Sequence, residues 1–155
     1  MPDGYWHKLL RVDLARGTHT VEPRAETDLR RFIGGTGLGA EILRRELPPK
    51  VGAFEPRNRL IFATGRFQGP AVPAGAKFSI VGISPLSGTF ADTAAGASWC
   101  ISLKEAGYDV LIVEGSAEHP VYLQIVDDTV TILDARNLAG RDTAETVEVL
   151  IAYSR

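Results

Sequence analysis

Two pairs of short strand-like segments, each joined by a tight turn, constrain the fold more than any other feature of this sequence. The first pair covers residues 8–13 and 18–22 and turns near Gly17. The second pair consists of "VYLQIV" and "TVTILDA", which flank Asp127. Short connections of this kind join neighbouring antiparallel strands. The sheet is therefore predicted to be at least partly antiparallel.

Four helices are predicted between and after these strands. The first begins near a capping Thr27 and continues through Ile33 to a glycine stop, and the second covers about residues 38–47 before two prolines. A third covers residues 99–106, again before a glycine. The last opens at Asp142, which has capping-box spacing to the glutamate three residues later. Each helix therefore has recognisable start or stop signals.

Three further apolar runs, "NRLIFATG", "KFSIVGIS" and "YDVLIVEG", are typical of strands. Strands and helices alternate irregularly, so the fold class is α+β rather than a doubly wound parallel sheet. The order of elements suggests two related α+β halves. The length of 155 residues predicts a single domain over residues 1–155.

Charge and cysteine content exclude several classes of function. Seventeen basic and nineteen acidic side chains leave a net charge of −2, with no basic block for nucleic acid. No apolar run reaches the length of a membrane span, and the N-terminus does not resemble a signal peptide. One cysteine, Cys100, cannot form an internal disulfide or a multi-cysteine metal site. These features predict a reducing, cytoplasmic compartment.

The stretch "SPLSGTFADTAAGASW" consists almost entirely of small residues, with one acid, Asp92. Small side chains allow the backbone to approach another group closely. The glycine-rich "GGTGLGA" lacks the spacing and the preceding strand of a dinucleotide fingerprint, but a helix starting there offers free N–H groups to an anion. Lys77 opens a strand directly after the glycine- and proline-rich loop "RFQGPAVPAGA" and is either an ordinary surface lysine or, because of this loop, a candidate for anion binding.

No catalytic acid or base is predicted within this chain. Asp92, Glu105 and Asp109 have no spacing that indicates paired carboxylates. Glu105 and Asp109 flank the end of a predicted helix, where solvated polar residues are common. Cys100 lies on an apolar helical face and is predicted to be a core residue.

Several segments, taken in order, resemble the N-terminal domain of the aldehyde ferredoxin oxidoreductase family. They include "GYWHKLLRVDLARG", "FIGGTGLGAEIL", "ISPLSG", "LKEAGYDVLIVEG" and "LAGRDTAETVEVL". The resemblance implies an α+β domain that serves as the base for a tungsten, or more rarely molybdenum, bis-pterin cofactor. It also implies oxidation of aldehydes to acids, with electrons leaving through an iron–sulfur cluster to a ferredoxin-type acceptor.

The resemblance places the cofactor against two short segments of this sequence. Lys77 stands where the family has an arginine that binds pterin phosphate, and Ala94 stands where it has an asparagine that reaches a magnesium ion. Thr36 replaces a further arginine. Lysine keeps the charge but lacks the bidentate geometry of arginine, and alanine has no side-chain oxygen. The residues predicted to bind the cofactor are Lys77, Ala94, Ala95, Gly96 and Ala97, the last three through backbone N–H groups.

Three functions remain open on the sequence alone. The chain is the pterin-binding component of such an oxidoreductase, or a non-catalytic scaffold that is predicted to form a homo-oligomer and keeps the fold without the cofactor. Members of the family are several times longer, and this chain has no cluster cysteines. The cluster is therefore expected in remaining domains or in a partner subunit. The third candidate is a stand-alone pocket for a small anionic ligand at Lys77 and the turn at residues 34–39.

Overall fold

The computed structural model describes residues 4–68 and 72–153, which form eight strands and four α-helices. A 3-10 turn, Arg136–Leu138, precedes the last helix. In chain order, the elements are β1 (Lys8–Asp13), β2 (Thr18–Pro23), α1 (Glu26–Phe32), α2 (Gly35–Glu46), β3 (Arg59–Thr64), β4 (Lys77–Ile83), β5 (Phe90–Gly96), α3 (Trp99–Glu105), β6 (Val110–Glu114), β7 (Val121–Val126), β8 (Thr129–Asp134) and α4 (Thr143–Tyr153).

Six of the strands form one mixed sheet in the order β2-β1-β6-β3-β4-β5, and β7 and β8 form a separate two-stranded sheet. Strands β1 and β6 run parallel, whereas every other neighbouring pair is antiparallel. Both predicted hairpins are confirmed, as is the α+β class. The strand β5 was not predicted, and it lies at one edge of the large sheet.

A hydrophobic core lies on each face of the six-stranded sheet. Neighbouring residues of β1 show the division: Leu9 is buried with Ile42 of α2, whereas Leu10 is buried with Leu103 of α3 on the opposite face. This follows from the alternation of side chains along a strand. Each fully buried leucine or isoleucine contributes about 1.5–3 kcal/mol to folding. The helices α1 and α2 cover the first face, and α3 with the β7–β8 hairpin covers the second.

Helix α2 approaches β4 very closely at Gly39. A Cβ atom at this position would lie 2.6 Å from the Cγ2 atom of Val81. Glycine is therefore required for α2 to lie directly on the sheet at this distance. The contact determines where the N-terminal end of α2 meets the face of β4.

The first helix differs from the prediction at both ends. Its N-cap is Ala25, with no side-chain hydrogen bond, and Thr27 lies exposed in the first turn. The helix ends at Phe32, and Ile33 has a positive φ of 64° and a 60 % exposed side chain. The chain reverses here because Gly34 must pass against the backbone of β3. The second helix consequently begins at Gly35, three residues earlier than predicted.

Two other predictions concern Asp142 and Asp109. The capping role of Asp142 is confirmed, since its Oδ1 atom accepts a hydrogen bond from the N–H of Glu145 at 2.9 Å. Asp109, in contrast, is not solvated: it is 2 % exposed and forms an ion pair with the equally buried Lys104.

The helices within the described part of the chain are too short or too polar to cross a membrane.

Candidate functional site

The pairing of β4 with β5 places the predicted site residues on one face of the sheet. Lys77 lies opposite Gly96, and Ser79 lies opposite Ala94. Because side chains alternate along strands, Lys77 and Ser79 share a face with Ala94 and with Val81, which lies beneath α2. This is therefore the face that α2 covers, and the positions of Ala94 and Gly96 lie beyond the end of the helix.

The N-terminus of α2 lies above Ser79. The Thr36 hydroxyl is 3.0 Å from the Ser79 hydroxyl and 3.2 Å from Oδ2 of Asp92. A Cβ atom at Gly35 would lie 3.2 Å from the same serine oxygen. The N-cap residue Gly34 has no side chain to bond the first turn, so the N–H groups at the start of α2 have no side-chain cap. They give this end of the helix a partial positive charge.

The loop after β3 forms the opposite wall. Gln68 accepts a hydrogen bond from the N–H of Gly65 and donates one to the backbone carbonyl of Lys77. This side chain therefore joins the end of β3 to the start of β4. The neighbouring side chain, Phe67, is 62 % exposed. On the facing wall, the side chain of Ile33 is 60 % exposed.

These three parts enclose an open depression of about 330 Å³. Its lining includes Ile33, Gly34, Gly65, Lys77, Ser79 and Ala94. The floor is formed by strands with small side chains, and the rim contains the exposed apolar residues Ile33 and Phe67. An anionic group with an apolar body suits such a depression, since the apolar rim and the cationic floor offer contacts to different parts of it.

Two cationic residues line the depression, Arg66 in the loop after β3 and Lys77 at the start of β4. No ion pair joins the Lys77 ammonium to a carboxylate in the part of the chain that the structure describes. Asp92 is the acid on the same face, and the Thr36 hydroxyl lies within hydrogen-bonding distance of its carboxylate. Among the described residues, no group of three His, Cys, Asp or Glu side chains could hold a metal ion.

The structure therefore brings some of the predicted residues together and separates others. Lys77, Ala94 and Gly96 share the face beside the α2 N-terminus. Ala95 pairs with Phe78, whose ring packs against Trp99 on the opposite face, so the Ala95 side chain points away from the depression. Ala97 follows the strand, and its carbonyl accepts a hydrogen bond from Cys100 at 3.1 Å. Backbone binding by Ala95, Gly96 and Ala97 remains a prediction.

Sequence reasoning missed the wall residues Gly65 and Gln68, because no local pattern distinguishes them from other loop residues. It also left Asp92 without a partner, whereas the structure joins it to Thr36 across 56 positions of the chain. The "GGTG" run indicates a helix start with free N–H groups, and the structure has such a helix start at Gly35. The position of this helix start above Ser79 depends on tertiary packing.

Comparison with known proteins places the chain in a family. Residues 9–154 match the family model described as "Aldehyde ferredoxin oxidoreductase, N-terminal domain". The tungsten-containing aldehyde ferredoxin oxidoreductase of Pyrococcus abyssi is 42 % identical over 147 residues, which are 95 % of this chain and 24 % of that protein. The aliphatic sulfonate oxidoreductase, WOR-like subunit, of Pyrococcus furiosus is 39 % identical over 150 residues, which are 95 % of this chain and 24 % of that protein.

A solved structure is similar in both sequence and fold. The active-site complex BamBC of benzoyl-coenzyme A reductase, in complex with 1,5-dienoyl-CoA, has a TM-score of 0.93 and 35 % identity. The match covers 97 % of this chain and 23 % of the other. The chain thus spans about a quarter of the length of these relatives.

Proposed function

Because the chain belongs to the aldehyde ferredoxin oxidoreductase family and matches its N-terminal domain, we propose that it is the pterin-base component of a tungsten or molybdenum oxidoreductase. In this role it binds the phosphate end of a bis-pterin cofactor and is not self-sufficient for catalysis. The observation that supports this best is Lys77, a cation without a described acidic partner, beside the uncapped N-terminus of α2.

The residues of the depression fit a phosphate group. Lys77 supplies a full positive charge, and the first turn of α2 supplies N–H donors and the positive end of the helix dipole. Ala94 and Gly96 leave the floor open above the strands. The alanine at position 94 has no oxygen, so a side-chain contact to magnesium is not available there. On that face of β5, Asp92 is the residue that offers oxygen atoms.

In this proposal the chain positions the cofactor and does not transfer electrons itself. When bound, the metal–pterin group would supply the chemistry that oxidises an aldehyde to an acid, and an iron–sulfur cluster in the remaining domains or a partner would pass the electrons to a ferredoxin-type acceptor. Lys77 and the α2 N-terminus hold the phosphate, and the apolar rim formed by Ile33 and Phe67 covers the neighbouring part of the ligand and excludes water. A cytoplasmic location is part of the same proposal.

The face formed by α3, β7 and α4 is proposed to contact the remaining domains or a partner subunit that holds the cluster. A groove of about 390 Å³ runs between these elements, with Leu103 and Leu123 in its lining. On α4, Val147 and Tyr153 are 53 % and 58 % exposed. Additional protein on this face would bury apolar area that the described residues leave open.

A non-catalytic scaffold that forms a homo-oligomer is the second candidate. It is favoured by the hydrogen bond between Thr36 and Asp92, because this bond satisfies two polar groups at the α2 end without a ligand. The alanine at position 94 supports the same alternative. A scaffold of this kind would keep the fold and the partner-binding face and would have no need of Lys77.

Co-expression with the remaining domains, or with the partner subunit, distinguishes these two functions. We expect the purified complex to contain tungsten or molybdenum together with pterin, as measured by elemental analysis and by fluorescence of the oxidised pterin. A complex with stoichiometric partner but with neither metal nor pterin would contradict the proposal and support the scaffold.

Replacement of Lys77 by methionine should weaken cofactor retention. The ammonium donates a charge-assisted hydrogen bond to phosphate in the proposal, and such bonds contribute enough to change an affinity by about tenfold to a hundredfold. Pterin and metal per protomer, measured after repeated gel filtration of the complex, should fall accordingly. The Lys77→Arg variant should retain the cofactor at least as well as the original protein, because its planar head suits phosphate.

Lys50→Met is the matched control, since Lys50 is exposed in the loop that follows the opposite end of α2. It removes the same charge at a distance from the depression and should leave pterin and metal content unchanged. Equal losses in the Lys50 and Lys77 variants would indicate a general effect of net charge and would count against the proposed phosphate site.

A further inference from the structure

A buried ion pair joins the last turn of α3 to the residue before β6. Lys104 and Asp109 are 3 % and 2 % exposed, and the Lys104 ammonium donates hydrogen bonds to Oδ1 of Asp109 and, at 3.0 Å, to the carbonyl of Gly4. The Asp109 carboxylate also accepts the backbone N–H of Trp6 at 3.0 Å. Burial lowers the pKa of Lys104, and the charge of Asp109 opposes that change. The pair therefore attaches the N-terminal segment to the end of the sheet.

Two structural connections lead from this pair to the turn at residues 33–35. In the first, the backbone carbonyl of Asp109 accepts hydrogen bonds from the N–H and the hydroxyl of Thr64, at 3.1 and 2.7 Å. Thr64 in turn lies directly against the turn, because a Cβ atom at Gly34 would be 2.5 Å from the Thr64 carbonyl oxygen. The end of β3 is thus bonded to Asp109 on one side and contacts the turn at residues 33–35 on the other.

The second connection passes through Tyr5. Its ring lies 5.2 Å from the Lys104 ammonium, and its hydroxyl donates a hydrogen bond to the backbone carbonyl of Ile33. The side chain is 7 % exposed, and burial raises the pKa of its hydroxyl. The hydroxyl therefore stays protonated, and able to donate, throughout the neutral pH range.

The turn needs such support because its backbone is strained. Ile33 has a φ of 64° and Gly34 a φ of 136°. A β-branched residue rarely adopts a positive φ, and such conformations persist only where the surroundings hold them. The hydrogen bond from Tyr5 acts on the carbonyl between these two residues. Without it, the segment would be free to relax toward an ordinary helix end.

We propose that Tyr5 is a positioning residue: its hydroxyl holds residues 33–35 in place and so keeps the N-terminus of α2 above Ser79 and beside Lys77. This inference rests on the proposed function, because it assigns Tyr5 a role at the phosphate site. Tyr5 is not among the residues that line the depression, and its hydroxyl acts through the backbone carbonyl of Ile33. It therefore determines the direction of the α2 N–H groups without binding the ligand.

The test compares Tyr5→Phe with Tyr108→Phe in the full chain. Tyr108 is also buried, at 3 % exposure, but belongs to the core on the opposite face of the sheet. Both variants lose one hydroxyl and keep the ring. Amide hydrogen exchange should accelerate by about two- to tenfold at Ile33 and Gly34 in Tyr5→Phe only, which corresponds to the loss of one hydrogen bond.

Inorganic phosphate serves as the probe of the site, at a temperature where all variants are fully folded. We expect phosphate to shift the amide resonances of Gly35, Thr36 and Gly37, and to bind Tyr5→Phe several-fold more weakly than the original protein or Tyr108→Phe. A merely structural loss of the hydroxyl would not change the affinity of a folded protein selectively.

The outcomes separate this inference from the proposed function. Unchanged exchange at Ile33 and Gly34 in Tyr5→Phe, or equal acceleration in both variants, overturns the positioning role. Accelerated exchange with equal phosphate affinity also overturns it, because the turn would then move without effect on the site. If the original protein binds no phosphate, the proposed phosphate site fails and the role of Tyr5 at that site fails with it, while selective exchange at the turn would still identify Tyr5 as its support.

Discussion

The Asp109→Asn variant should lose about 3–5 kcal/mol of the free energy of unfolding, the cost of removing one partner from a buried ion pair. In this variant the Lys104 ammonium would remain 3 % exposed, with the Gly4 carbonyl at 3.0 Å and no carboxylate to balance its charge. The backbone N–H of Trp6 would also lose a charged acceptor. Urea denaturation followed by circular dichroism measures the difference.

Two further variants make this result specific. Glu26→Gln removes one charge from the exposed Glu26–Arg30 pair and should leave the denaturation midpoint almost unchanged, because solvent screens that pair. Replacing both Lys104 and Asp109 by leucine or methionine should regain part of the stability lost in Asp109→Asn, since no charge is then buried alone. If the double variant is as unstable as Asp109→Asn, the loss lies in packing and the explanation from charge is wrong.

The buried pair also shows why part of the fold was not predictable from sequence. Lys104 and Asp109 flank a helix stop, where local patterns indicate solvent. Their burial depends on Gly4 and Trp6, which are about a hundred positions away in the chain. The hairpins β1–β2 and β7–β8, in contrast, were predicted because alternation and turn residues are local signals. Contacts between distant segments leave no comparable trace in a single sequence.

The strand β5 was missed for a related reason. Its sequence is rich in alanine, with one glycine and one aspartate, and these residue types are uncommon in strands. The strand forms because β4 offers a free edge along its whole length, with seven paired positions from Lys77 to Ile83. The small residues favour close approach of another group to this backbone, which is compatible with an exposed edge strand beside the depression.

The candidate site was predicted only in part. Lys77 follows both from its place beside a glycine- and proline-rich loop and from the family resemblance, Ala94 and Gly96 follow from the resemblance, and the structure places all three on one face. The α2 N-terminus reaches this face because α2 packs closely at Gly39 and because Gly34 passes against Thr64. Neither close approach can be derived from the glycine run itself, since glycine-rich runs also occur in open turns. The geometry of the site therefore depends on packing at two glycines.

Gly34→Ala tests the second of these approaches, and we expect it to be strongly destabilising. The residue has φ 136° and ψ −166°, a region populated almost only by glycine, where an alanine costs about 1–3 kcal/mol. Its Cβ atom would lie 2.5 Å from the Thr64 carbonyl oxygen and 2.8 Å from the Cα atom of Gly65. Both contacts are with backbone, so relief requires a backbone shift, which adds about 1–3 kcal/mol.

Gly17→Ala separates the two contributions. Gly17 also has a positive φ, of 64°, but a Cβ atom there would meet nothing within 4 Å. The Gly17 variant should therefore show only the strain of the left-handed conformation, about 1–2 kcal/mol in a denaturation experiment. The Gly34 variant should lose clearly more, and its phosphate affinity should fall because the α2 N-terminus must move away from β3. Equal losses in the two variants would mean that the turn at residues 33–35 yields easily, and the depression would then lack the rigid wall that binding by backbone N–H groups requires.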